Sequence, residues 1–266
     1  MRLESPASPP TLSRVREREK SEPTCSLSRW RERVGVRVGG KRGAPHREIL
    51  SPMYLPAHFE ENRPEVLHTL LRTHPLGLLV TLNGAAQLQA NSVPFVLDAD
   101  SAGGPGILRA HVARANPLWR GAAGGAPGAT ESLVVFQGPQ AYVSPSFYPS
   151  KAEHGKVVPT WNYVMVQARG RLRAIEDAAW LHAFVTRLTE RHESQRARPW
   201  AVSDAPADYI ETMLGAIVGI EIVLSALTGK WKVSENRSAA DRAGVVQGLH
   251  EDGVAQAELL GGANSS

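Results

Sequence analysis

The chain has a single cysteine, Cys25, among its 266 residues. No disulfide can form within it, and beyond residue 52 there is no thiolate chemistry, which fits a reducing compartment. Nowhere does an apolar run reach the length needed to cross a bilayer. Nine histidines occur, but none as an H-x-H or H-x-x-x-H pair beside a carboxylate, so no metal is expected. Glycine-rich stretches near Gly103 and Gly121 lack the Lys-Ser/Thr pair that makes a phosphate loop, and they do not join a strand to a long helix. No internal repeat is evident. These absences predict a cytoplasmic protein with no membrane and no metal among its partners.

What is present begins with an uneven charge. Residues 1–52 hold 12 of the 30 Lys and Arg and 6 of the 26 Asp and Glu, so the overall +4 comes from this segment and the remainder carries −2. The segment is rich in Arg, Ser, Pro and Gly without apolar periodicity, a composition that cannot offset the entropy of ordering, and it is expected to be disordered. Three readings stay open: a basic nucleic-acid arm, a targeting peptide, or translated upstream sequence with the natural start at Met53. The third is preferred, because sequence with folding periodicity begins at that methionine. No secretory apolar core follows the basic residues, and the glutamates argue against an organelle transit peptide.

From residue 53 the pattern is mixed. Asn62 and Pro64 predict a helix to about Arg72, with Asn62 as cap and an apolar face of Val66, Leu67, Leu70 and Leu71. Strands follow at Leu76 to Leu82, Ala85 to Leu97 with an interruption at Pro94, and Ile107 to His111, the first two joined by an Asn83-Gly84 hairpin turn. A short helix is expected at Asn116 to Trp119 and a surface loop at Gly121 to Thr130. Further strands are read at Leu133 to Gln137, Gln140 to Val143, Val157 to Ala174 and Ile217 to Ala226. Helices are read at Ala178 to Arg191, Ala207 to Leu214 and Ser238 to Leu249, and residues 251–266 as a flexible tail. About six strands joined by hairpins, with helices between and after them, describe a mainly β protein: an antiparallel barrel with helical additions.

Three polar-aromatic blocks stand beside these strands: H-V-A-R-A-N-P at His111 to Pro117, Y-V-S-P-S-F-Y-P-S-K running into V-P-T-W-N-Y at Tyr142 to Tyr163, and G-K-W-K-V-S-E-N-R at Gly229 to Arg237. Each combines anion donors or amides with flat aromatic surface, as a planar phosphorylated cofactor requires, so together they point to a flavin nucleotide. Arg114 and Asn116 at a helix start, with His111, suit a phosphate; equally, Arg114 fits a solvated turn and His111 a core histidine. Thr160, Trp161 and Asn162 suit the edge and face of a flavin ring, or Trp161 fills the barrel. Strand alternation sends Thr160 and Asn162 to one face and Trp161 to the other, so all three reach one ligand only across a bulge or a subunit boundary. The charges at Gly229 to Arg237 also fit a solvated turn.

From Met53 to about Leu249 the sequence resembles the PaiB family of FMN-binding negative transcriptional regulators, within the flavin-binding split-barrel superfamily. The resemblance rests on M-Y-L-P-x-x-F at Met53 to Phe59, the first two blocks above, and K-W-K-x-S-x-N-R with D-R-A-G-V-x-x-G-L at Lys230 to Leu249. It implies a homodimeric antiparallel split β-barrel with FMN at the subunit boundary. His111, Arg114, Asn116 and Ser92 become expected phosphate-side contacts, Thr160, Trp161 and Asn162 ring-side contacts, with Lys151 and Lys230 as further cofactor contacts. Ser92 stands where His is expected, Phe147 where Trp is common and Glu235 where Gln is common, departures that bear on flavin affinity. The implied role is repression of transcription. DNA binding follows from the resemblance alone, since no DNA-reading motif is legible, and a flavin-dependent oxidoreductase or flavin reductase is the alternative. No catalytic residue is assigned.

Overall fold

The computed structural model describes residues 53–83, 85–100, 104–122 and 131–263. The basic segment 1–52 and most of the expected 121–130 loop therefore lie outside the described residues. A 3-10 turn at Ala57–Phe59 leads into strand β1 (Glu60–Glu61) and helix α1 (Pro64–Thr73). Leu67, Leu70 and Leu71 form its buried stripe, the spacing that one helical face requires. Asn62 is not the cap. The residue before the helix is Arg63, and it is held by Glu61, whose carboxylate accepts the Arg63 N–H at 2.9 Å and the guanidinium at 2.7 Å.

Strands β2 (Leu76–Leu82) and β3 (Leu88–Pro94) form a hairpin whose loop runs over 83–87, longer than the two-residue turn read from Asn83-Gly84. The Asn83 side-chain oxygen accepts the N–H groups of Ala85 at 3.0 Å and Gln87 at 2.9 Å, and Ala86 takes the left-handed conformation. After β4 (Val96–Asp98) and β5 (Ile107–Ala113) comes a 3-10 turn at Pro117–Ala122. The two strands expected around Pro139 are one, β6 (Glu131–Val143), with a register shift between Gln137 and Gln140. A proline lacks the N–H for regular pairing, and the irregularity accommodates it.

The remaining elements are helix α2 (Ser150–His154), strand β7 (Thr160–Ile175), helices α3 (Ala178–Glu193) and α4 (Ala207–Gly215), strand β8 (Ile217–Lys232), and helices α5 (Ala239–Glu251) and α6 (Ala257–Leu260). Asp177 and Ser238 cap α3 and α5 by accepting the N–H groups of Trp180 and Asp241. β8 extends six residues past the expected end at Ala226 because Gly229 to Lys232 pair with β7 on one side and, at Gly229 and Lys230, with β1 on the other. Of the block that also fits a solvated turn, Gly229 to Lys232 is strand and Val233 to Arg237 turns.

All pairings are antiparallel, in the order β3-β2-β6-β7-β8-β5-β4 with β1 added beside β8, an eight-stranded sheet. β3 and β5 approach each other across the seam, where Asn116 donates to Asn91 at 3.0 Å. The barrel interior is closed by Leu79, Leu108, Val134, Phe136, Val164, Val166, Ile220 and Ile222, none of which reaches solvent. The expected mainly β antiparallel barrel with helical additions is what forms.

The end of the chain is not a flexible tail as far as residue 263. Ala257 and Leu260 are fully buried in the core cluster, and Asn162 on β7 donates to the Leu260 carbonyl at 2.8 Å. Helix α5 lies so close to Phe147 that a Cβ at Gly244 would overlap the Phe147 carbonyl oxygen. Gly244→Ala gains helix propensity but forces backbone apart, so a net loss of about 1–2 kcal/mol is expected, read as a lower midpoint in urea denaturation.

Candidate cofactor site

Along β7 the side chains alternate. Asn162, Val164, Val166 and Ala168 enter the barrel, while Trp161, Tyr163, Met165, Gln167 and Arg169 share its outer face. Register places Tyr142 of β6 opposite Trp161 and Gln140 opposite Tyr163; on the other side, Lys232 of β8 lies opposite Tyr163 and Lys230 opposite Met165. Trp161 and Tyr142 are each 49% exposed with ring centroids 6.3 Å apart, and the Trp161 indole N–H donates to Gln140 at 3.1 Å. Flat aromatic surface is thus presented outward rather than packed in the barrel.

The cations beside it are unusual. Lys230 is buried, its ammonium donating to the Tyr54 carbonyl at 2.8 Å and lying 5.4 Å and 5.7 Å from the ring centroids of Tyr54 and Tyr163. Lys232 donates to the Thr160 hydroxyl and the Trp161 carbonyl, each at 2.5 Å. Its pKa falls below the usual lysine range, chiefly through burial and then through the charge of Lys230, opposed by Glu235, with the smallest lowering from Arg237. Arg237 lies over the Tyr148 ring, 4.6 Å from its centroid. None of the three has a carboxylate ion-pair partner among the described residues. Glu235 is held by the Val233 N–H at 3.0 Å, and burial pushes its carboxyl pKa up.

The other expected site residues lie elsewhere. His111 sits near the far end of the sheet, opposite Gly219, which in turn lies opposite Ile175 at the end of β7. Trp161 is 14 residues back along that strand, roughly 45 Å of extended chain. The His111 ring packs edge-on against Phe184, its Nδ1 is buried without a partner, and burial lowers its pKa. Arg114 donates to the carbonyls of Gly215 at 2.8 Å and Ile217 at 3.2 Å and pairs with Glu176, so three of its N–H groups already serve its own chain. Asn116 starts the following turn by accepting the Leu118 N–H, and Ser92 is exposed on β3. Asn162 is buried, its amide divided between Ser234 and Leu260. Lys151 is exposed on α2 in a separate cleft of about 580 Å³ shared with Gln247 and Glu251 of α5. The structure therefore gathers Thr160, Trp161 and Lys230, and leaves the His111–Asn116 end remote within one chain.

Against this geometry, a family model described as "Putative FMN-binding domain" matches residues 53–226. The chain belongs to this FMN-binding domain family. An uncharacterized protein of Emericella nidulans is 37% identical over 231 residues, covering 76% of this chain and 92% of the relative. The protease synthase and sporulation protein PAI 2 of Bacillus subtilis is 28% identical over 200 residues, covering 75% and 90%. Among solved structures, an FAD and heme binding protein from Mycobacterium smegmatis overlaps with a TM-score of 0.46 at 16% identity, covering 69% of this chain and 78% of its own.

Membership in the FMN-binding domain family makes a flavin the cofactor, and the donor set fits one. An exposed indole offers a ring surface, cations without counter-ions offer charge for a phosphate, and two polar atoms farther along the same face, Gln167 Oε1 and Arg169 Nε, are buried without partners. Tyr163, Lys232 and Arg237 stood within the blocks singled out from sequence without being assigned as cofactor contacts, and Gln167 and Arg169 lay outside those blocks. The period-2 pattern beyond Trp161 was the signal that could have found those on β7.

Proposed function

We propose that the protein is a homodimeric FMN-binding regulator of transcription, with the flavin seated against the outer face of β7 between two copies. The observation that carries the flavin's position is the exposed Trp161–Tyr142 pair with Lys230 and Lys232 on the neighbouring strand, neither in an ion pair with a carboxylate. When bound, FMN supplies reversible redox chemistry. The protein's part is to orient and desolvate it: Trp161 flanks the ring, and the Thr160 and Lys230 region supplies polar edges.

A second copy answers two features of this face. Leu76, Leu78, Leu82 and Leu88 are 63%, 41%, 40% and 76% exposed on the β2–β3 hairpin, continuous with Leu133, Val135 and Met165. Such a patch marks an interface. Gln167 Oε1 and Arg169 Nε on the same outer face have no hydrogen-bond partner within one chain, and repacking of the side chains that cover them against a second copy would supply partners. Two copies related by a two-fold axis also bring opposite ends of β7 together, so Ser92, His111, Arg114 and Asn116 of one copy gain a route to the flavin held by the other.

The regulatory output rests on the resemblance to PaiB regulators and on the Bacillus subtilis relative, whose name ties it to protease synthesis and sporulation. Footprinting of the FMN-loaded protein on DNA upstream of its own gene cluster, at fixed salt because nonspecific binding is salt-driven, is expected to show a protected site. No protection with or without FMN would remove the regulator. The net −2 of residues 53–266 offers little to a DNA backbone and favours a second reading, a flavin-dependent oxidoreductase. That reading requires NAD(P)H oxidation faster than free FMN achieves.

A further inference from the structure

The uncompensated charge around Lys232 asks for a ligand more specific than a flat ring. Lys230 and Lys232 project from the same face of β8, two residues apart, and Arg237 reaches the same place from the loop after the strand; both neighbours act electrostatically on the Lys232 ammonium. Lys230 meets a carbonyl and two aromatic faces, Lys232 a hydroxyl and a carbonyl, Arg237 an aromatic face. Neutral acceptors and ring quadrupoles soften a positive charge without cancelling it, and holding one buried and two half-buried cations within electrostatic reach of one another is unfavourable unless an anion joins them. Glu60 pairs opposite Lys230 in the strand register but forms no ion pair with it, and Glu235, the carboxylate nearest Lys232 in its electrostatic effect, is itself disfavoured in its charged form by burial.

We propose that Lys232 and Arg237, backed by the buried Lys230, form a binding site for a phosphate monoester beside Trp161. Lys232 has one N–H left after its two bonds, and the half-buried Arg237 guanidinium, lying over Tyr148, has five N–H donors and no carboxylate ion-pair partner among the described residues. Arg114, by contrast, already has Glu176 as a counter-ion. The phosphate has two sources: the flavin's own, in which case the site rests on the flavin reading above, or a separate phosphorylated ligand bound next to the flavin.

Titrations of the full chain and of its Lys232→Gln, Arg237→Gln and Glu235→Gln variants with FMN, riboflavin and inorganic phosphate separate these sources. Phosphate binding is followed as a rise in melting temperature at constant ionic strength, and the unliganded melting temperature confirms folding. With the flavin's phosphate in the site, Lys232→Gln and Arg237→Gln each weaken FMN by about tenfold or more and leave riboflavin unchanged, while Glu235→Gln tightens FMN. With a separate phosphate, both flavins bind all variants alike and the phosphate-induced stabilisation of the parent chain disappears in the two cation variants. Failure of the parent to bind either flavin, with that stabilisation intact and lost in the variants, overturns the flavin reading and supports the site. If neither the preference for FMN over riboflavin nor the phosphate response changes in Lys232→Gln and Arg237→Gln, the site is wrong.

Discussion

A chain carrying Leu78→Asp is expected to be a monomer at concentrations where the parent chain is a dimer, and to lose most of its affinity for FMN. Leu78 lies on the outer face of β2, opposite Ser92 on one side and Val135 on the other, in the middle of the exposed apolar surface. In a two-fold interface each substitution appears twice, so two carboxylates would be taken out of water with no cation designed to meet them. The effective penalty is several kcal/mol per ion, enough to weaken dimerisation by about a hundredfold or more. Leu78 is already 41% exposed in the single chain, so the monomer itself should melt within a few degrees of the parent. Light scattering and FMN titration on the same sample check both halves. A dimer that persists with full FMN affinity would place the interface on another face.

Asn162→Leu is expected to be the most destabilising single substitution in the second block. Asn162 is buried on the inner side of β7, where its amide donates to the Ser234 hydroxyl and to the Leu260 carbonyl, both at 2.8 Å. These two bonds tie the loop after β8 and the last helix to the barrel. Leucine fills a similar volume but strands both acceptors in an apolar setting, for a loss of about 2–4 kcal/mol. Ser234 has positive φ, so that loop has little freedom to find another partner. Urea denaturation should show the loss, and limited proteolysis should cut within 252–263 before the barrel opens. A variant as stable as the parent, with those residues still protected, would contradict the tether.

The strands, helices and antiparallel arrangement were largely legible because each element carries its own period. Errors fell where tertiary partners decide. The Gly229 to Lys232 stretch reads as a charged turn until β1 and Tyr54 are known to cover Lys230, contacts 176 residues apart in the chain for the ammonium's hydrogen bond. The end of the chain reads as polar and small, yet Ala257 and Leu260 are buried because α5 turns them back onto the barrel. Within the candidate site, alternation correctly separated Trp161 from Asn162, whereas Thr160, at the first position of β7, stays with Trp161 because Lys232 bonds them both. Sequence could not reveal that Asn162 is occupied inside the barrel, or that Arg114 is clasped by Glu176 and two carbonyls. Nor could it show that Lys232 bonds the Trp161 carbonyl while Arg237 comes within electrostatic reach of it, because that depends on how the loop after β8 folds.

Size-exclusion chromatography with light scattering and visible absorbance, run on the FMN-loaded and desalted protein, tests the central claim most directly. Flavin absorbance should travel with a species of twice the 28.7 kDa chain mass, at one flavin per chain. Flavin that elutes free of the protein, or with a single chain, would contradict an FMN site built between two copies on the outer face of β7.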